Sequence, residues 1–194
     1  MPEFERPSTR DLLTRFRAGD RDAFTDLYRT HNRSIYRFAL LMTADAAKAT
    51  EITQDVFVWL IHHPHKFDPT RGELSAFLIG VARKLLKHLY TEERKSVPFE
   101  ESLFDRAADA GPDDGSDHDL AHLRQAIAAL PPRYREVVVL CDLQEKTYEE
   151  ASVIIECAVG TVRSRLHRAR ALLARKLTGS AAAKGSSAIQ GCPA

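Results

Sequence analysis

Residues 147–177 restrict what this chain can fold into more than any other stretch. Thr147-Tyr-Glu-Glu150 has the form of a capping box: the threonine hydroxyl caps a helix start and the glutamate three positions on reaches back to it. The pattern predicts a short helix over Tyr148–Ile155, a turn at Glu156-Cys157-Ala158 and a second helix from Val159 onward. In that second helix Val162, Leu166, Ala169 and Leu173 recur at spacings of four, three and four, which is one buried stripe. Between Val159 and Leu177 there is no acid, whereas Arg163, Arg165, Arg168, Arg170, Arg175 and Lys176 are all basic. A solvated helix ordinarily mixes signs to gain ion pairs between neighbouring turns. The missing acids therefore argue against a plain surface helix. Two helices joined by a three-residue turn, the second one basic, make a helix-turn-helix whose second helix suits the DNA major groove. Arg163, Ser164, His167 and Arg168 are predicted at base edges, where an arginine can bridge guanine O6 and N7. Arg165, Arg170 and Thr161 are predicted on phosphates, together with the backbone at the helix start.

The remaining pattern is also helical, and strand signals are nearly absent. Ala129-Leu-Pro-Pro-Arg-Tyr-Arg-Glu-Val-Val-Val-Leu140 reads as a supporting helix, with prolines at its start where a missing N–H is harmless. Toward the N-terminus, Asp11–Ala18 is predicted as a short helix stopped at Gly19, with Asp20 capping the next. That next helix carries Phe24, Leu27, Tyr28, Ile35, Phe38 and Leu41 to about Met42. A further helix, Asp45–His62, buries Ile52, Val56, Trp59 and Leu60 and ends at Pro64. Its exposed side holds Glu51, Gln54 and Asp55, acceptors suited to arginines on a partner. After the turn Phe67-Asp-Pro-Thr-Arg-Gly72, a last helix from Glu73 to about Glu93 buries Leu74, Phe77, Leu78, Val81, Leu85 and Leu89. Arg83, Lys84, Lys87, His88 and Tyr90 give it a basic side with an aromatic near its end, able to track a phosphate backbone and stack a base.

Charge divides the chain. Ser96–Leu120 holds eight acids against Arg106 alone, a net −7. Since the whole chain carries +1, everything outside that segment carries +8. The segment is rich in turn formers and has little to bury, so it reads as a flexible linker. The expected architecture is all-α: two small helical domains, 1–95 and 119–178, joined by an acidic linker over 96–118, with a disordered tail over 179–194.

Both halves resemble bacterial RNA polymerase sigma factors of the extracytoplasmic-function group. Leu-Pro-Pro-Arg-Tyr-Arg-Glu-Val, Tyr-Glu-Glu-Ala and Val-Gly-Thr-Val-Arg-Ser-Arg-Leu-His-Arg-Ala-Arg are similar to region four of that family. Ala23-Phe-Thr-Asp-Leu-Tyr, Ile35-Tyr-Arg-Phe-Ala-Leu, Glu51-Ile-Thr-Gln-Asp-Val-Phe57 and Phe67-Asp-Pro-Thr-Arg-Gly are similar to region two. The resemblance implies that residues 119–178 bind the minus-thirty-five promoter element. It implies that Glu51, Gln54 and Asp55 dock on the clamp helices of the largest catalytic subunit of core RNA polymerase. It also implies that Phe77, Arg83, Lys84, Lys87, His88 and Tyr90 read the minus-ten element as a melted strand, with a base flipped out of the stack. An anti-sigma factor masking both domains is implied as a partner. For the linker, the resemblance implies a path near the polymerase's nucleic-acid channels, beside the simpler reading of a solvated tether.

The chain departs from the family at four positions. It has Lys84 where Asn is frequent, His88 where Asp is frequent and Phe77 where Trp is frequent, which implies a minus-ten preference of its own. Glu156 stands in the helix-helix turn where Gly is preferred. A positive φ there strains any residue with a Cβ and re-aims the second helix.

Enzymatic chemistry has little support. No nucleophile–base pair, phosphate loop or pair of catalytic carboxylates is present. His62-His-Pro-His65 has its helical spacing broken by proline and no nearby Cys or acid to complete a metal site. No cofactor is expected. Cys141, Cys157 and Cys192 form no CxxC pair and suit reduced thiols, the first two in the core of the C-terminal half and Cys192 in the tail. No apolar run reaches membrane-spanning length and the start lacks a signal-peptide pattern, so a cytoplasmic protein without membrane insertion is expected. The alternative reading is a free-standing helix-turn-helix regulator that binds duplex DNA without polymerase; it leaves the first 95 residues without a sensing pocket or a dimerisation heptad.

Overall fold

The computed structural model describes residues 8–96 and 118–185, and among these the fold is all-α. The first half comprises α1 (Thr9–Arg17), α2 (Arg21–Thr43), α3 (Ala46–His62) and α4 (Leu74–Ser96). Each of the first three starts on a side chain that accepts from orphan backbone N–H groups: Ser8 for α1, Asp20 for α2 and Asp45 for α3. Leu27, Ile35 and Phe38 of α2 are buried against Ile52, Val56 and Leu60 of α3. The buried face of α4 is Leu74, Leu78, Ile79, Ala82 and Leu86, with Val81 beside it. This corrects the predicted stripe: Leu86 is buried where Leu85 and Leu89 were expected, and those two are only half-buried. Arg17 fixes the α3–α4 connection by donating from Nε to the Pro64 carbonyl at 2.9 Å and from Nη2 to the Phe67 carbonyl at 2.6 Å.

The second half comprises α5 (His118–Ala128), α6 (Pro132–Val138), α7 (Tyr148–Ile155) and α8 (Val159–Gly185). Pro131 and Pro132 sit at the start of α6, where no N–H is missed. A single π-helical turn, Val139–Leu143, continues α6, a feature that periodicity did not foretell. The capping box is present with both arms: Glu150 N–H donates to Thr147 Oγ1 at 3.1 Å, and Thr147 N–H donates to Glu150 Oε2 at 2.8 Å. Val162, Leu166 and Ala169 of α8 are buried as expected, while Leu173 is half-buried. α8 reaches Gly185, so the first residues assigned to a tail are helical. Most of the acidic linker and residues 186–194, Cys192 included, lie outside the described residues.

The two halves dock. α2 packs against α5 and α6, and α4 packs against α7. Arg135 of α6 joins them, donating from Nη1 to the Met42 carbonyl at 2.6 Å and from Nη2 to the carbonyls of Ala128 and Leu130. Burial of α8 through Val162, Leu166 and Ala169 turns its opposite side outward, and that positions the site. Leu166→Ala is expected to destabilise the fold by about 2–5 kcal/mol. Thr147→Ala, which removes only the cap, is expected to cost about 1 kcal/mol. Urea unfolding followed by circular dichroism orders the two, and equal midpoints would contradict the packing described.

Candidate nucleic-acid interface

The turn before α8 is set by Glu156, which adopts φ 60° and ψ 48°, the left-handed conformation anticipated at that position. Its N–H and that of Cys157 both donate to the Ser152 carbonyl, closing α7. α8 then starts on the Ala158 carbonyl, which accepts from Thr161 N–H at 2.8 Å. Arg163, Ser164, His167 and Arg168 emerge exposed on one side of this helix. Ser164 Oγ donates back to the Thr161 carbonyl, and the Arg163 guanidinium lies 5.8 Å from the centroid of the Tyr148 ring.

The other predicted arginines of α8 are placed differently. Arg165 is half-buried, and its charge is among those that lower the proton affinity of the Glu136 carboxylate. Arg170 forms a forked pair with Asp142, Nη2 to Oδ1 at 2.5 Å and Nε to Oδ2 at 3.2 Å. The pair holds Arg170 more basic than usual, through the hydrogen bond and then the charge of Asp142.

On α4 the predicted residues divide as well. Lys87 and His88 are exposed. Arg83 is largely covered, with Nε 2.5 Å from Glu136 Oε1 and Nη1 3.8 Å from Glu156 Oε2. Lys84 Nζ lies 2.9 Å from Glu156 Oε1. The Tyr90 hydroxyl donates to the Met42 carbonyl at 3.2 Å, so one end of that ring is tethered to α2. Phe77 packs with Phe67 and Trp59 at centroid distances of 5.2 and 5.9 Å. The acid Glu136 was not foreseen as part of this surface. Burial pushes its carboxyl above the ordinary range, and the neighbouring Arg83 pulls it back only in part.

On α3, Glu51, Gln54 and Asp55 lie on one exposed face, and Val58 and Ile61 extend it as exposed apolar residues, 50% and 48% accessible. A shallow groove beside it, between α2 and α3, is lined by Tyr28, Asn32, Arg33, Tyr36, Thr50, Thr53 and Gln54.

This arrangement has close counterparts. Residues 27–96 match the family described as Sigma-70 region 2, and residues 120–173 match Sigma-70, region 4. The RNA polymerase sigma factor CarQ of Myxococcus xanthus is 32% identical over 161 residues, 80% of this chain and 90% of that protein. The ECF RNA polymerase sigma factor SigM of Mycobacterium tuberculosis strain H37Rv is 30% identical over 173 residues, 88% of this chain and 85% of its own length. The chain belongs to the extracytoplasmic-function sigma factors of RNA polymerase. The fold is shared with the sigma factor RpoE of Bartonella quintana, solved with the anti-sigma factor NepR. The TM-score is 0.66 and the identity 24%, over 80% of this chain and 96% of that one. It is shared too with CnrH, solved with the cytosolic domain of CnrY, at a TM-score of 0.67 and 23% identity over 88% of this chain and 97% of CnrH.

In this sigma factor the matched first half removes the ground for a free-standing regulator, since residues 27–96 are sigma region two. Among the described residues no group of three or more His, Cys, Asp or Glu side chains gathers to hold a metal ion. His63 instead stacks on Trp59 at 4.5 Å and donates from Nδ1 to its carbonyl at 2.9 Å. Among the same residues no helix is long and apolar enough to cross a membrane. Cys141 and Cys157 are free thiols, half-buried rather than fully in the core.

Burial pushes the Cys141 thiol up from 9.0 to about 11, and Asp142 adds to the effect. At pH 8 in the folded protein, Cys141 is expected to alkylate about tenfold more slowly than an ordinary thiol, because thiolate scarcity outweighs the greater nucleophilicity of a less acidic thiol. Denaturant should abolish the difference. Mass-spectrometric mapping of iodoacetamide adducts reads it, and equal rates in the native and denatured chain would refute the burial effect.

Proposed function

We propose that this sigma factor grips promoters at two places while riding on core polymerase, through three helices with separate tasks. α8 enters the minus-thirty-five major groove with Arg163, Ser164, His167 and Arg168 toward base edges. Arg165, Arg170 and the helix start at Thr161 meet phosphates. The observation that carries the reading is the exposed side of α8: guanidinium, imidazole and hydroxyl groups on a helix whose opposite stripe is fully buried. The Asp142 pair uses two of the five N–H donors of Arg170, which leaves the guanidinium able to take a phosphate as well.

α4 follows the melted minus-ten strand with Arg83, Lys84, Lys87 and His88, and Phe77 and Tyr90 shape the site of the extruded base. α3 docks on the clamp helices of the polymerase through Glu51, Gln54 and Asp55. Like RpoE and CnrH, which were solved with the anti-sigma factor NepR and the cytosolic domain of CnrY respectively, this chain has a protein partner that covers it until initiation. It performs no catalysis of its own.

Run-off transcription with purified core polymerase tests the docking face. A Gln54→Ala, Asp55→Ala chain is expected to need at least about tenfold more protein for half-maximal transcript, because two charge-assisted or polar contacts at an interface are lost. Unchanged half-saturation would place docking elsewhere. The division of labour on α8 is read by fluorescence anisotropy on cognate and scrambled minus-thirty-five duplexes. Arg168→Ala is expected to lose about 1–3 kcal/mol on the cognate site and much less on the scrambled one. Arg170→Ala should weaken both alike and flatten the salt dependence. Equal losses on both duplexes for Arg168→Ala would rule out base readout there.

A further inference from the structure

The fold brings Glu156, in the turn between α7 and α8, together with Lys84 of α4 across the joint between the halves. Glu156 Oε1 accepts from Lys84 Nζ at 2.9 Å, and Glu156 Oε2 lies 3.8 Å from Arg83 Nη1. Arg83 is held from the other side by Glu136 at 2.5 Å. The turn of the helix-turn-helix is thereby tied to the basic side of α4.

Beside the apolar core that runs through both halves, the joint carries polar contacts that are incompletely satisfied. Gln144 Nε2 donates to the Ser34 carbonyl at 2.9 Å, and Lys146 Nζ donates to Ser75 Oγ at 2.8 Å. The buried side-chain atoms without a hydrogen-bond partner among the described residues are His31 Nε2, Arg135 Nε and Gln144 Oε1. Arg135 and Gln144 bridge to α2, and the proton affinity of His31 on α2 is lowered by burial and then by the charge of Lys146. Burying such atoms unpaired is unfavourable, and water would satisfy them on opening.

We infer that the Glu156 carboxylate is an interdomain latch that closes this sigma factor on itself and occupies the α4 cations Arg83 and Lys84 in the place of a DNA phosphate. The inference rests on the reading of α4 as the helix that follows the minus-ten strand. Strand and latch compete for the same two cations, so they exclude one another. The exposed side of α8 stays uncovered in the closed chain, so the latch hides one promoter contact and leaves the other presented. Closure therefore lowers the apparent affinity for the strand, to the intrinsic affinity multiplied by the fraction of chains that are open.

The test uses the full chain carrying a donor–acceptor dye pair at exposed Arg29 of α2 and Ala171 of α8, at one fixed ionic strength because exposed pairs are screened by salt. Lys84→Glu and Glu156→Lys should each lower energy transfer, and the double exchange should restore it. Unchanged transfer in both single variants, or a loss that the double exchange does not reverse, overturns the latch. A second measurement uses a labelled mixed-sequence DNA single strand and Glu156→Gln, which removes the carboxylate charge and leaves α4 untouched. Its affinity for the strand should rise about two- to fivefold, the range that freeing an exposed ion pair allows. A fall in transfer with no rise in affinity overturns the masking. If no chain binds the strand, the reading of α4 fails, and the transfer series still decides whether the latch exists.

Discussion

The guanidinium of Arg135 ties together the C-terminal end of α2, the end of α5 and the start of α6. It donates to the carbonyls of Met42, Ala128 and Leu130, three acceptors at or near helix ends that have few partners of their own. Among the described residues its hydrogen-bond partners are backbone carbonyls, and the negative ends of two helix dipoles supply the compensation. Burial still pulls its proton affinity down, and its Nε remains unpaired. Remove this side chain and α6 loses its tie to the end of α2, leaving Arg83–Glu136 and the packing of α7 on α4 to hold the halves together. The orientation of the basic helix relative to α4 depends on this buried cation together with those contacts.

Apolar contacts fill each half, Phe38, Leu27 and Leu60 in the first and Leu140, Ile154 and Leu166 in the second, and one apolar core runs through both. Charge edges this core where the halves meet: Arg135 sits on helix-end carbonyls, and Arg83 and Lys84 sit on Glu136 and Glu156. The exposed pair of Lys84 and Glu156 is the one of these contacts that water or another anion exchanges for most readily.

Local signals in the chain foretold local structure well. The capping box at Thr147 and the turn at Glu156 lie within a few residues of the groups they engage, so residue types at fixed spacing specify them. The buried stripe Val162–Leu166–Ala169 was legible for the same reason. What escaped were contacts between residues far apart in the chain: Arg83 with Glu136, 53 positions away, and Arg170 with Asp142, 28 positions away. Periodicity says which side of a helix is buried, not what stands opposite. The α4 stripe was misread at Leu86 because Leu85, Leu86 and Leu89 are all apolar, and only the packing of α2, α3 and α7 around α4 selects among them. The π-helical turn at Val139–Leu143 carries no residue signature either, since a run of valines and leucines serves an α-helix equally well.

These long-range contacts change how the basic helix is understood. Counted along the chain, α8 offers a continuous positive run from Arg163 to Lys176. In three dimensions Arg170 is shared with Asp142 and Arg163 rests over Tyr148, while Arg165 is half-buried. Each contact lowers the freedom of a long side chain and so lowers the entropy lost when DNA is bound. Arg168 and His167 stand outside these contacts, on the exposed side. A guanidinium pre-positioned by an acid, such as Arg170, suits a phosphate, whose place on a duplex hardly varies, and a freer one suits a base edge that differs from site to site. The acid at Asp142 thus does more than offset charge: it fixes one arginine of the helix while Arg168 stays outside these contacts.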